Sequence, residues 1–381
     1  MSITRRLLAA LAVAGFWLVA LAGPASAHSV SGIGATNWKT TLTAVSPSVP
    51  GLTVKVVENG SRLEVTNHGP EVVVFGYQGE PYLRVGPSGV FANTLSPAAY
   101  LNCSRTGCGV PPVADAQAPP VWARVSAGQT ALWHDHRIHW MGRQLPPEVA
   151  AAPGKLHVQA AFAIALRQGS TDIAVTGRYT WVPGQRPLPW LLLAAGLFAG
   201  GAAVAVAVAG RWSPRPSWRL LAVVAAAFTA IDVQHAIAIA WSSAGNPTYR
   251  IAQLLEGNSF SIPGWILGLI AVRLLWRRQA RGLMAAAGLG LSTALFTGLL
   301  DLGVLSRSGA PYRGPLILDR ASVAVSLGLG AGLAVGALVA ARRLRPTYDD
   351  DFDDLDDSDD LVEVGQSPPA SYLNEIATLA R

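Results

Sequence analysis

Between residues 188 and 345 the chain runs through five long apolar stretches, at about 189–210, 218–241, 259–276, 283–305 and 316–341. Each approaches the roughly 20 residues that carry a helix across a bilayer, the third being the shortest. A pattern of this kind predicts an all-α transmembrane bundle of about five helices over residues 188–345. Arginines mark the ends of these stretches. Arg211, Arg215 and Arg219 follow the first, Arg273, Arg277, Arg278 and Arg281 surround the end of the third, and Arg342, Arg343 and Arg345 follow the fifth. Cytoplasmic loops are the basic ones, so this distribution predicts those clusters inside and the first half of the chain outside. Arg307, Arg313 and Arg320 run against that orientation, three against ten.

The N-terminus has the form of a secretory signal. Arg5 and Arg6 precede the apolar run 7–21, and Ala25-Ser26-Ala27 is a small-residue cleavage site, so residues 1–27 read as a signal peptide. Cleavage after Ala27 makes His28 the first mature residue. Its free α-amine, with an ordinary pKa near about 7.7, readily gives up a proton to a metal.

Residues 28–187 read as an extracytoplasmic β-sandwich of the immunoglobulin or cupredoxin kind. Short apolar segments at 53–57, 62–66, 71–77, 82–85, 121–125, 156–166 and 172–182 are separated by turn residues. Glu58-Asn59-Gly60-Ser61 is a hairpin signal between the first two, and Gly128 precedes a strand expected to carry His134 and His136. Pro183-Gly184-Gln185-Arg186-Pro187 is a stiff linker to the apolar half. The formal net charge of +6 hides nine aspartates within 349–360, which leave the rest of the chain strongly basic. That acidic run cannot bury a core, so residues 346–381 read as a disordered cytoplasmic tail in which 372–379 could form a short helix. The basic groups cluster beside apolar segments and no nucleic-acid-binding pattern is present, so the predicted partner is the membrane rather than nucleic acid.

Two cysteines, Cys103 and Cys108, close a short loop. In an exported domain a disulfide is the expected state; the spacing is wider than the C-x-x-C of a soft-metal pair. Three of the seven histidines fall within 134–139. On an extended strand His134 and His136 point to one face, which makes them half of a metal site. His139 then falls on the opposite face unless the strand bends, and could stand behind the ligands, serve as a fourth ligand, or sit at the rim. Asp135 is expected to turn away and pair with Arg137. His68 reads as a turn residue and His157 as an ordinary strand residue. An all-nitrogen set of His28, His134 and His136 suits copper, and zinc less well.

A mature N-terminal histidine combined with Trp133-His134-Asp135-His136 on a β-sandwich strand resembles the copper-binding cupredoxin domain of the particulate methane and ammonia monooxygenase B subunit. It is also similar to histidine-brace copper proteins. The resemblance implies His28, His134 and His136 as ligands. It is confined to these residues, the domain type and the membrane attachment. The second cupredoxin domain of that family is missing, so monooxygenase activity is not implied.

A second constellation lies in the apolar half. Asp232 and His235 are three apart and share a helix face, Asp301 lies near the end of the fourth stretch, and Asp319-Arg320 begins the fifth. Ionisable groups inside a bilayer are either paired for structure or functional, as metal or proton sites. The sequence therefore predicts a membrane-anchored copper-handling protein with a possible copper-trafficking or membrane partner protein. A copper oxidase or oxygenase, and a metal-free scaffold or sensor, are the alternatives.

Overall fold

The computed structural model describes residues 34–104, 107–142, 144–210 and 215–344. The signal segment 1–27, His28 and the tail 346–381 lie outside the described residues. The N-terminal half contains ten strands: β1 (Trp38–Ser46), β2 (Leu52–Val57), β3 (Arg62–Asn67), β4 (Val72–Phe75), β5 (Pro81–Gly86), β6 (Gly89–Asn93), β7 (Trp122–Ser126), β8 (Thr130–His134), β9 (His157–Gln168) and β10 (Thr171–Trp181). They form a seven-stranded sheet ordered β1-β10-β9-β4-β5-β6-β7 and a three-stranded sheet ordered β2-β3-β8. All pairings are antiparallel.

Side chains alternate along these strands, as a sheet with one buried face requires. Phe162, Ile164 and Leu166 of β9 are buried while the residues between them are exposed, and Ile173 and Val175 continue the pattern on β10. They meet Leu63 and Val65 of β3 and Ala131 and Trp133 of β8, so the two sheets share one apolar core. Burying each such large side chain is worth about 1.5–3 kcal/mol. The hairpin signal is realised as a tight link between β2 and β3. Glu58 and Asn59 take φ of 53° and 55°, and Gly60 takes 91°. Gly177 is needed where β10 passes the core: a Cβ there would stand 2.3 Å from Phe162 Cζ and 2.6 Å from the Thr41 carbonyl.

The second half is helical: α1 (Leu188–Ala207), α2 (Arg215–Ala240), α3 (Pro247–Gly257), α4 (Ile262–Trp276), α5 (Arg281–Thr293) and α6 (Leu316–Arg343). Four helical segments are long and apolar enough to cross a membrane, counting α5 with its continuation to Leu299, or five if the bent pair α3–α4 is one span. These helices are compatible with a multi-pass membrane protein. Small residues let α1 and α6 touch closely. A Cβ on Gly328 would stand 2.1 Å from the Ala194 carbonyl, and Gly332 and Gly336 pack in the same way against Phe198 and Ala202.

Two predicted spans take a different form. The stretch 259–276 is not one straight helix. It contributes α4, only 15 residues long, which meets α3 at a 78° bend. Ser261 lies at the bend, and Pro263 is seated in the first turn of α4, where its missing N–H costs nothing. The stretch 283–305 ends as regular helix at Thr293, widens into a π turn over Ala294–Leu299, and finishes as a 3-10 turn over Leu302–Leu305. Gly298 lies against the Leu327 backbone there, so the widened turn follows the surface of α6.

The β-rich half is fastened to the helices. Thr36 and Gly309 exchange backbone hydrogen bonds of 2.8 and 2.9 Å, and the Ser308 N–H donates to Asn37 Oδ1 at 2.9 Å. Glu58, buried at the foot of the β2–β3 link, accepts from the Ala244 N–H at 3.2 Å.

Candidate functional site

The strand expected to carry both His134 and His136 stops at His134. Asp135 explains why. Its Oδ1 accepts from the Arg137 N–H at 3.0 Å, and the Ile138 N–H donates to the Asp135 carbonyl at 3.2 Å. An aspartate that bonds its own backbone two residues ahead starts a turn rather than continuing a strand. His136 therefore lies in the turn and not on a shared strand face, which corrects the sequence expectation. The same turn brings His139 back, so it does not fall on the opposite face. The rings of His134 and His139 are 4.5 Å apart, those of His134 and His136 5.2 Å, and those of His136 and His139 6.0 Å.

The turn is rigid because it is anchored on every side. The carboxylate of Asp135 is fully buried and meets the Arg137 guanidinium at 2.7 Å. It also accepts from Trp133 Nε1 at 2.9 Å. Burial by itself pushes the Asp135 carboxyl up, but the hydrogen bonds and charge of Arg137 overcome this and hold it below the usual carboxylate range. Arg137 stacks on the Tyr77 ring, 4.8 Å from its centroid. The Tyr77 hydroxyl accepts from the His136 N–H at 3.1 Å and donates to Asn102 Oδ1 at 2.5 Å. Burial and the nearby Asp135 charge push the Tyr77 phenol up to about 12, so it remains a hydroxyl. Thr40 Oγ1 donates to the Ile138 carbonyl at 2.7 Å, tying β1 to the turn.

The ring nitrogens are oriented by backbone carbonyls. His136 Nε2 donates to the Ser104 carbonyl at 3.2 Å, which directs its Nδ1 lone pair elsewhere. His139 Nδ1 faces the Trp140 carbonyl at 3.4 Å, and its Nε2 stands 2.8 Å from His134 Nε2. Two imidazole nitrogens at that distance require a proton or another cation, because two lone pairs would repel. An N–H of one ring donating to the lone pair of the other satisfies that requirement. Among the described residues, no group of three or more His, Cys, Asp or Glu side chains is arranged to hold a metal ion. His28 lies outside the described residues.

Ser104 belongs to the loop closed by the Cys103–Cys108 disulfide, with Cα atoms 6.0 Å apart. The expected disulfide is therefore present, and its loop carries the carbonyl that holds His136. His157 donates to the Ala152 carbonyl at 2.8 Å, and His68 faces Gln129 in a turn. Tyr77, Thr40 and Ser104 support the histidine turn from distant sequence positions, and no local motif announced them.

Asp232, His235 and Asp301 come together among the helices, and Asp319 joins them. His235 is 2% exposed and lies with Nε2 3.4 Å from Asp301 Oδ2 and Nδ1 3.5 Å from Asp319 Oδ1. Asp232, one turn earlier on α2, accepts from Trp265 Nε1 at 2.7 Å and Ser326 Oγ at 3.3 Å. Compared with known proteins, the chain matches no family model, and no curated protein or solved structure matches it.

Proposed function

We propose that this is a membrane-anchored, extracytoplasmic copper-handling protein, with copper as its cargo. Its β-rich half is read as a cupredoxin-like domain exported by the 1–27 signal, and its helices as the anchor. The observation that carries the proposal is the convergence of three imidazoles on one rigid turn, with ring centroids 4.5 to 6.0 Å apart. His134, His136 and His139 would supply imidazole nitrogens, and His28 would add its amine and ring if cleavage follows Ala27. Backbone acceptors on the far side of His136 and His139 are the outer partners that metal-bound histidines use to fix their tautomer.

An all-nitrogen set favours Cu(II), and the disulfide fits an oxidising compartment. Outward-facing apolar side chains such as Leu192 and Leu269, 64% and 69% exposed, are the chemistry of a lipid-facing surface. Basic clusters at the helix ends support a reading in which the β-rich half lies outside the cell membrane and the tail in the cytoplasm. The test is copper retention by purified mature protein, with mass spectrometry of its N-terminus. The expected result is a chain beginning at His28 that keeps one copper, and a His134→Ala variant that loses it. A chain that keeps none, or a variant that keeps it undiminished, removes the proposal.

A further inference from the structure

The histidine of the helical half has no part in copper binding as proposed above, and it is placed to handle a different ligand. His235 on α2 is flanked by two carboxylates from separate elements, Asp301 after the π turn and Asp319 at the start of α6. The two carboxylates face opposite ring nitrogens. One ion cannot be bound by that ring and by both of them, so the arrangement is unsuited to chelation. It is suited to a proton, which an imidazole can take up at one nitrogen and release at the other.

His235 and Asp319 are 2% and 1% exposed, and neither His235 Nδ1 nor Asp319 Oδ1 makes a hydrogen bond of ordinary geometry, although they stand 3.5 Å apart. Buried polar atoms left this way are costly, and ionisable groups among membrane helices are functional more often than not. The surroundings do not make up the missing bonds. Asp232 is taken up by Trp265 and Ser326. The Arg320 guanidinium donates to the Val304 and Arg307 carbonyls and to the Gln185 side-chain oxygen. The Tyr312 ring lies 5.9 Å from that of His235, with its hydroxyl accepting from Gln234, and the Arg313 N–H donates to the Ala238 carbonyl.

We infer that His235, Asp301 and Asp319 form a proton site buried among the helices, loaded from the Asp301 side. Asp301 is the more accessible carboxylate, its side chain 14% exposed against 2% for the Asp319 side chain. It leads into the segment 302–309, which bonds to the β-rich half. In the transfer, a proton leaves the Asp301 carboxyl and forms the N–H at Nε2. The N–H at Nδ1 then breaks and its proton passes to Asp319, leaving a neutral ring, a carboxylate at Asp301 and a carboxylic acid at Asp319.

The inference does not rest on the copper proposal, and its test uses metal-free protein. Infrared difference spectra of the full chain in lipid bilayers are recorded from about pH 4 to about pH 9, the range spanning ordinary carboxyl and imidazole titration. The expected result is that a carboxylic C=O band and imidazole ring bands titrate together. Asp319→Asn removes the carboxyl band and moves the imidazole midpoint by about one pH unit or more, and His235→Gln moves the carboxyl midpoint in turn. A titrating carboxylic band that Asp319→Asn does not diminish, with a titrating imidazole band that His235→Gln does not diminish, overturns the inference and leaves a permanent structural lock. So do midpoints that each variant leaves unmoved. The two variants change opposite sides of the contact, so one that misfolds does not hide the answer.

Discussion

Replacing Asp135 by asparagine removes a charge that four donors share: Trp133 Nε1, the Arg137 N–H, Arg137 Nε and Arg137 Nη2, at 2.7 to 3.0 Å. The amide keeps one acceptor oxygen but turns an NH2 group towards those donors. The guanidinium, with its side chain 18% exposed, is left without its counter-ion. Breaking a buried pair by changing one partner costs about 3–5 kcal/mol, because a desolvated charge remains. For a domain of this size that corresponds to a fall in melting temperature of roughly 6–20 °C. The assay is thermal unfolding of the detergent-solubilised chain, followed in the β-sheet circular dichroism band, in a double-mutant cycle with Arg137→Met. Each single change is expected to carry the full cost. The double change is expected to cost well below their sum, because removing both charges leaves neither stranded. Additive losses would show that the two groups stabilise the turn independently and would refute this account of its rigidity.

Asp135 also sets a pH dependence. Its folded carboxyl lies below the ordinary range, so its contribution is present above the unfolded carboxylate value of about 3.9 and is lost as pH falls through the folded value. Stability measured against pH in the Asp135→Asn variant should lack that acid-side loss. Glu58 behaves in the opposite sense. Burial raises its carboxyl despite the Arg62 charge, so its contribution is present below the unfolded value of about 4.3 and declines as pH rises through the folded one. Glu58→Gln should flatten that decline in the same measurement. Gly177→Ala should cost about 1–3 kcal/mol in thermal unfolding, since the added methyl meets Phe162 and the Thr41 carbonyl. In copper titrations His139→Ala should weaken binding at least about tenfold, the scale of losing a supporting or direct ligand, while His157→Ala should leave it unchanged.

Much of the architecture could be read from patterns that survive folding. Period-two apolar residues located β9 and β10, Asn59-Gly60 located the β2–β3 link, and the Pro-rich 183–187 linker separated the two halves. β1 and β6 escaped because Trp38–Ser46 is largely polar and Gly89–Asn93 is short. Each becomes a strand through its neighbours, β10 in one case and β5 with β7 in the other. The histidine cluster was visible, but its geometry was misjudged. Strand periodicity applied past His134 overlooked the capacity of Asp135 to capture the Arg137 N–H and reverse the chain. Asp301 was grouped with Asp232 and His235 as a membrane candidate, and its Oδ2 stands 3.4 Å from His235 Nε2. Asp319 was placed in the same constellation, but its facing of His235 Nδ1 was not legible, because nothing in sequence spacing relates residue 235 to residue 319.

The central claim is that one copper is held by the imidazoles of the 134–139 turn. Electron paramagnetic resonance of copper-loaded mature protein, with nitrogen couplings resolved by pulsed methods, tests it most directly. The account predicts one copper per chain with several imidazole nitrogens, and a loss of coupled imidazole or of copper itself in His134→Ala and His136→Ala variants that still fold. A copper signal without imidazole coupling, or a spectrum identical in both variants, would contradict it.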